Sequence, residues 1–289
     1  MKETIFLGIE FGSNSIKCSY LNTETNKIEL VKFGEKISIP ACADFTYNPV
    51  LVGVETPNAI REIRKIIGKK FKDKEIRDDI ENDYFPFIII EDENGYCKIQ
   101  IQKYDSNEIF KFKPEEVLAI ILKHVKEEVL RSLKKPKDTK IETVVSVPSH
   151  FNDEQMNATK NAFKIAEIKL ISFINNVIAA TLPYKKQEKR GSRHLSINLD
   201  ENSFETSFCR FENNSMRMIS SETNTLFGEI DFTKNFVGKI LDLLEKEYPE
   251  NNRIDIFTIT RRDTVAIKQQ KKKRMYKLRQ LAEKAKIDL

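Results

Sequence analysis

Apolar and polar positions alternate from the start of the chain. The run IFLGIEFGSNSIKCSYL reads as strand, tight glycine-containing turn and strand, and Thr23 to Asn26 turns the chain into a third strand, KIELVKF. The same design returns later. HLSINLDENSFETSFCRF predicts strand, polar turn and strand, and Glu212 to Ser215 leads into MRMISSE. Two similar β-turn-β units about 190 residues apart predict a duplicated architecture.

Between the two units the period changes to that of helices. Pro114 suits the first helical position, and Glu115 and Glu116 favour the positive end of the helix dipole. Val117, Ile121, Val125, Val129 and Leu133 form one i, i+4 apolar stripe. ETVVSVP is a short β-branched strand, read as buried on both faces and ended by Pro148. Asn152 and Gln155 stand at capping-box spacing before a helix containing Ala158, Ala162, Ile165 and Ala166. The apolar KLISFI completes a βαβ pattern, so the fold class is α/β with parallel pairing. Lys185 to Arg193 has no apolar residue and predicts a connection between two halves. A further helix spans about Asp231 to Tyr248, with Phe232, Phe236, Ile240 and Leu244 on one side, and Pro249, Asn251 and Asn252 end it. The last helix is expected from about Thr264 to Ile287.

With 40% apolar and 32% charged residues over 289 positions, the chain has the balance of a soluble globular protein. Cys18, Cys42, Cys97 and Cys209 form no CxxC pair or metal spacing, which argues against a disulfide scaffold or zinc module and fits a reducing compartment. No run approaches the ~18 apolar residues of a membrane span, so a cytoplasmic or nuclear location is expected, with no membrane partner. The net charge of +5 is uneven, because Arg261 to Lys286 holds eleven Lys/Arg against Asp263 and Glu283. A basic run can grip nucleic acid, but the plainer reading is a solvated helix face. His124, His150 and His194 share no motif spacing and read as structural or surface residues.

Taken together, these segments resemble the N-terminal ATPase domain of the seventy-kilodalton heat-shock chaperones, the heat shock protein 70 family. The resemblance rests on GIEFGSNS, where the family has Gly-Ile-Asp-Leu-Gly-Thr-Thr, and on SIP at Ser38 to Pro40. It continues through IRKIIGKKF at Ile63 to Phe71, FKPEEVLAIIL at Phe112 to Leu122, VSVPSHFNDEQMNATKNA at Val145 to Ala162 and INNVIAA at Ile174 to Ala180. RMYKLRQLAEKAK resembles the helix that lines the adenine pocket. The fold implied is the actin-like ATPase fold, with duplicated ribonuclease H-like β-sheet lobes. Residues 1–188 would form lobe I, with an inserted subdomain at about 36–112 that is shortened between Gly53 and Pro57. Residues 189–289 would form a partial lobe II, the second lobe being incomplete and no substrate-binding domain following.

The cofactor implied is ATP or ADP with Mg²⁺. The first phosphate turn would be Gly12, Ser13, Asn14 and Ser15, glycine being needed where the chain passes close to an anion. For the second, the family has Asp-Leu-Gly-Gly-Gly-Thr-Phe-Asp, and this chain has Asn198, Leu199, Asp200, Glu201, Asn202, Ser203, Phe204 and Glu205. All three glycines are replaced. Two of the replacements are acidic, and like charges a few ångströms apart cost about 1 to 4 kcal/mol at surface-like dielectric. The carboxylates that organise hydrated Mg²⁺ in the family correspond to Glu10, Asn176, Asn198 and Glu205, so no metal site is assigned with them. Arg64 replaces the catalytic lysine, and a planar fork does not reproduce the geometry of an ammonium. Ser203, Gly228, Glu283 and Lys286 match nucleotide-side positions, Ile287 replaces an arginine, and Pro148 matches the proline that relays nucleotide state.

Two functions follow as expectations. One is a divergent nucleotide-binding domain related to protein folding, with weak or lost hydrolysis. The other is a nucleotide-independent module that docks co-chaperones or a full-length relative. The tail's place in the resemblance makes nucleic acid the poorer partner.

Overall fold

The computed structural model describes residues 4–81, 84–102, 108–187, 191–212, 215–247 and 265–288. Tyr248, Pro249, Asn251, Asn252 and Thr264, expected at helix ends, lie outside the described residues, as do Arg261 to Asp263 of the basic segment. The chain divides into two compact units, residues 1–196 with 207–220, and residues 197–206 with 221–289.

In the first unit the opening meander forms as expected: β1 (Thr4–Phe11), β2 (Ser15–Asn22) and β3 (Lys27–Leu30) pair in antiparallel order. The segment that follows carries β4 (Ser38–Pro40), β5 (Ala43–Asp44), β6 (Leu51–Val52), the short helix α1 (Ile63–Ile66), α2 (Lys74–Glu81), β7 (Ile88–Glu91), β8 (Cys97–Gln102) and β9 (Ile109–Phe112). Strands β7, β8 and β9 make their own antiparallel sheet. Next come α3 (Pro114–Ser132), β10 (Lys140–Val147), α4 (Asp153–Ile165), β11 (Lys169–Asn175) and α5 (Asn176–Thr181). The central sheet runs β11-β10-β1-β2-β3, with β4 also paired to β2. Its β11-β10-β1 part is parallel, joined through α4 by the predicted βαβ unit.

The α3 stripe is the core of this unit, with Val117, Ile121, Val125 and Val129 all fully buried. Leu133, expected as its last member, falls outside the helix: Lys134 takes a left-handed conformation (φ 53°), and the Lys135 amide bonds back to the Leu130 carbonyl, closing the helix in a Schellman turn. The capping box of α4 is present, Asn152 Oδ1 accepting from the Gln155 amide at 2.8 Å and Gln155 Oε1 from the Asn152 amide at 3.3 Å. The inner face of α4 mixes polar and apolar residues. Gln155, Thr159, Ala162, Phe163 and Ala166 are buried, Ala158 is half-buried and Ile165 is exposed. At 3.6 residues per turn Ile165 stands about 200° from Phe163, on the solvent side. The first unit also fastens its inserted segment to α4 through Gly68 (φ 65°), where a Cβ would lie 2.6 Å from the Gln155 backbone.

The polar connection lies partly within the described residues. Leu182–Gln187 is a 3-10 turn, residues 188–190 lie outside the described residues, and Gly191 and Ser192 pair with Phe211. The second meander follows as β12 (Arg193–Asp200), β13 (Ser203–Glu212) and β14 (Ser215–Asn224), in that spatial order. The second unit adds α6 (Glu229–Glu247) and α7 (Val265–Asp288), which pack on each other. On α6 the buried line is Thr233 and Val237, one position from the expected stripe. Phe232 is exposed and meets Phe227 at 5.6 Å between ring centroids, while Phe236, Ile240 and Leu244 are half-buried. No described helix is long and apolar enough to cross a membrane.

Two tests follow. Phe163→Ala is expected to cost about 3–5 kcal/mol in urea denaturation, and Ile165→Ala about 0.5 kcal/mol or less; equal costs would contradict the inner face of α4. All four cysteines are buried and none forms a disulfide, and burial pushes the thiols of Cys18, Cys42 and Cys97 up to about 12, 11 and 12. The native chain should therefore not react with a thiol reagent at pH 8, whereas the unfolded chain reacts at all four. Because the folded thiols stay protonated while unfolded ones ionise from their ordinary value of 9.0, stability should fall as pH rises from 9 towards 11.

Candidate functional site

The first turn is built by the β1–β2 register, which pairs Phe11 with Ile16 and leaves Gly12 to Asn14 to close the hairpin. The Gly12 amide donates to the Ser15 carbonyl at 2.9 Å, and a Cβ at Gly12 would lie 2.7 Å from that same oxygen. Only glycine fits there without shifting the turn. Ser13 is buried, and the Asn14 carbonyl accepts from the Ala41 amide at 2.7 Å. Arg64 reaches this turn from α1: its Nη1 donates to the Phe11 carbonyl at 3.0 Å, and the residue is 8% exposed. The helix that aims it is well anchored. Glu62, left-handed at φ 55°, accepts a short hydrogen bond from the Tyr84 hydroxyl. Lys65 lies 2.9 Å from Asp79 and 3.9 Å from the centre of the Tyr84 ring.

Parallel register brings more of the predicted residues to the same edge. Glu10 lies beside Ser146 and Ser146 beside Ile174, so the Gly12 turn, Pro148 and Asn176 all emerge at the carboxyl ends of β1, β10 and β11. That edge is where α/β sheets commonly bind ligands. Pro148 ends β10, its carbonyl accepting from the Phe151 amide at 3.2 Å. Asn176 begins α5, whose cap is Asn175, with Oδ1 2.9 Å from the Val177 amide. The Glu10 carboxylate is exposed and lies 3.4 Å from Lys17 Nζ, a partner directly across the hairpin.

The second turn is built differently. Asp200 Oδ1 accepts from the Glu201 amide at 2.9 Å, and the Glu201 carbonyl accepts from the Ile230 amide at 2.9 Å. Gly228 packs against this turn so closely that a Cβ would fall 2.3 Å from the Glu201 oxygen and 2.7 Å from the Ser203 nitrogen. Its own amide donates to Asp231 Oδ2 at 2.8 Å. Amides at the start of α6 that could otherwise meet an anion are thus satisfied by Glu201 and Asp231. Ser203 and Glu205 are buried, and Ser221 Oγ donates to Glu205 Oε1 at 3.2 Å. Asn198 is half-buried on β12. On α7, Glu283 and Lys286 stand one turn apart, and Lys286 Nζ lies 2.5 Å from Glu229 Oε1 and 3.4 Å from Thr233 Oγ1.

Sequence reasoning had not singled out Lys17, Glu62, Tyr84, Ser221, Glu229 or Asp231 in these roles. Only Asp231 carried a local signal, an acid three residues after the glycine that precedes a helix. The other five depend on cross-strand register or on contacts distant in sequence. A cleft of about 280 Å³ lies elsewhere in the first unit, lined by Tyr96, Lys113, Glu115, Glu154 and Asn157 among others, and contains none of the predicted residues. No group of three or more metal-ligating side chains occurs among the described residues.

Comparison with known proteins gives one consistent family. The family model described as Hsp70 protein matches residues 6–289. Chaperone protein DnaK of Buchnera aphidicola subsp. Schizaphis graminum (strain Sg) is 28% identical over 300 residues, covering 98% of this chain and 42% of that protein. Chaperone protein DnaK of Carsonella ruddii (strain PV) is 29% identical over 298 residues, covering 98% of this chain and 45% of that protein. The chain therefore spans less than half the length of these relatives.

The two glycines of the second unit separate close approach from conformational freedom. Gly228→Ala is expected to lower stability by about 1–3 kcal/mol through overpacking against the Glu201 turn. Gly238→Ala, inside α6 with nothing within 4 Å of its Cβ, should raise it by about 0.5–1 kcal/mol. Denaturant titration of both variants checks the pair.

Proposed function

Because the chain belongs to the Hsp70 family and has that family's actin-like ATPase fold, we propose that it is a divergent nucleotide-binding domain of that family. In this reading ATP or ADP binds weakly, hydrolysis is weak or lost, and the role is related to protein folding. The observation that carries this reading is the bond from the Glu201 amide to Asp200 Oδ1. An amide committed to a fixed carboxylate cannot grip a phosphate without losing that bond. The same carboxylate repels an incoming anion by about 1 to 4 kcal/mol at a separation near 4 Å.

Arg64 supports the loss of hydrolysis. A buried guanidinium directed at the Phe11 carbonyl is a positioning group for the turn, and its planar donors differ from the compact ammonium that the family uses. Nor do the remaining residues fit a hydrated Mg²⁺ held by matched carboxylates. Glu10 is engaged by Lys17 and Glu205 by Ser221, and Asn176 and Asn198 are uncharged. A second reading, a nucleotide-independent module docking co-chaperones or a full-length relative, is favoured by the Lys286–Glu229 ion pair, which occupies a residue expected on the nucleotide side.

Calorimetric titration with Mg-ATP and Mg-ADP is expected to give weak heats or none. The triple change Asp200→Gly, Glu201→Gly and Asn202→Gly should tighten binding at least about tenfold. Single-turnover hydrolysis at the rate of an ordinary family member would overturn the proposal. Capture of the same proteins from cell extract with and without ATP would favour the second reading; nucleotide-dependent capture would favour the first.

A further inference from the structure

The cleft of about 280 Å³ lies wholly within the first unit and is enclosed by three elements. One wall is the β7–β8 hairpin with Asp92 and Tyr96, the second is the start of α3 with Lys113 and Glu115, and the third is α4 with Glu154 and Asn157. Contacts of their own hold these walls in place. Asp92 Oδ1 accepts from the Asn94 and Tyr96 amides at 2.9 and 2.8 Å, which closes the hairpin. The Tyr96 hydroxyl donates to Glu154 Oε1 at 2.9 Å and so ties the hairpin to α4, while Lys70 Nζ lies 3.3 Å from the centre of the Tyr96 ring. The space is therefore a fixed feature of this unit, and no residue of either phosphate turn lines it.

The lining has more acceptors than donors. Glu115 is half-buried, its carboxylate has no side-chain partner among the described residues, and burial raises its carboxyl above the ordinary value. Asp92 commits Oδ1 to the hairpin and has Oδ2 to spare. The carboxamides of Asn157 and Asn161, one turn apart on α4, bond to no described side chain. Against these acceptors stands the Lys113 ammonium, with Lys70 shared to Glu154 at 3.9 Å. A carboxylate that burial desolvates gains most from a cation brought to it. The acceptors do not converge, however, since no three ligating side chains gather at one point among the described residues. A single compact ion is thus poorly served. Pro114 and Ala158 place small apolar surfaces between the acceptors. A ligand that suits this pattern carries several N–H donors separated by methylene groups, so that each cationic group meets its own acceptor and the methylenes cover the apolar patches.

We propose that this cleft binds a small linear polyamine, with Glu115 anchoring one ammonium group, Asp92 and Glu154 receiving another, and Asn157 and Asn161 accepting from the N–H groups that remain. Lys113 opposes the ligand and limits its affinity. A bound polyamine joins the hairpin of the inserted segment to α3 and α4, and it does so without nucleotide.

Calorimetric titration of the whole chain with spermidine, without nucleotide and at fixed ionic strength, is expected to show one saturable site. Cobalt hexaammine, equally trivalent but compact, should bind at least about tenfold more weakly. Glu115→Gln keeps the shape of the side chain, so the thermal melt should be retained while the dissociation constant for spermidine rises at least about tenfold. Lys113→Met removes the opposing charge and should tighten binding. Asn157→Ala, at an exposed position of α4, should weaken binding without altering any charge, and it decides the matter if Glu115→Gln fails to fold. Absence of a saturable site would overturn the proposal. So would equal affinity for cobalt hexaammine, the mark of charge attraction alone, or spermidine affinity unchanged in Glu115→Gln or, where that variant does not fold, in Asn157→Ala.

Discussion

Strand β1 is held between an antiparallel neighbour and a parallel one, and this double pairing determines where the chemistry of the first unit emerges. Pairing with β2 sets the hairpin and so the Gly12 turn. Pairing with β10, itself parallel to β11, sends Pro148 and Asn176 out at the same edge. Side chains alternate faces along a strand, so a slip of one residue would reverse every one of them. The buried row of Ile5, Leu7, Ile9 and Phe11 makes such a slip costly, because it would expose the core face of β1.

The two meanders solve the same steric problem with glycines from different places. In the first, the glycine lies in the turn, and Gly12 comes within van der Waals reach of the Ser15 carbonyl. In the second, the turn itself carries Asp200, Glu201 and Asn202, and the close approach is made from outside by Gly228. The consequence is electrostatic as well as steric. Each backbone donor is largely used once, and the acidic residues of this turn bring their own acceptor, as the bond from the Glu201 amide to Asp200 illustrates. Arg64 is the parallel case in the first unit. A buried cation needs acceptors, and the Phe11 carbonyl provides one, so the guanidinium stiffens the turn from behind.

Family membership was legible in the sequence because its longest motif combines a buried strand, a proline and a helix cap at fixed spacing, and those features need only local chemistry. Asn152 and Gln155 are capping partners in the structure as in the sequence, since both lie within one turn. Apolar spacing fixes the rotation of a helix less firmly than it fixes a cap. Ile165 and Phe232 are large and apolar, yet the helices rotate them outward and bury Thr159 and Thr233 instead. Thr159 does so by donating its hydroxyl to the Gln155 carbonyl at 2.8 Å, a bond that hydrophobic periodicity does not register.

The sequence by itself determined the strand-turn-strand repeats, the α/β class, the caps and the acidic character of the second turn, because each is written in residues close together along the chain. Only the tertiary structure decided that Arg64 lies on the Phe11 carbonyl, that Gly228 closes over Glu201, and that Lys286 pairs with Glu229. The physical reason is that these facts depend on which distant backbone groups come within hydrogen-bonding distance, and strand register and helix rotation set that distance only once the chain has packed.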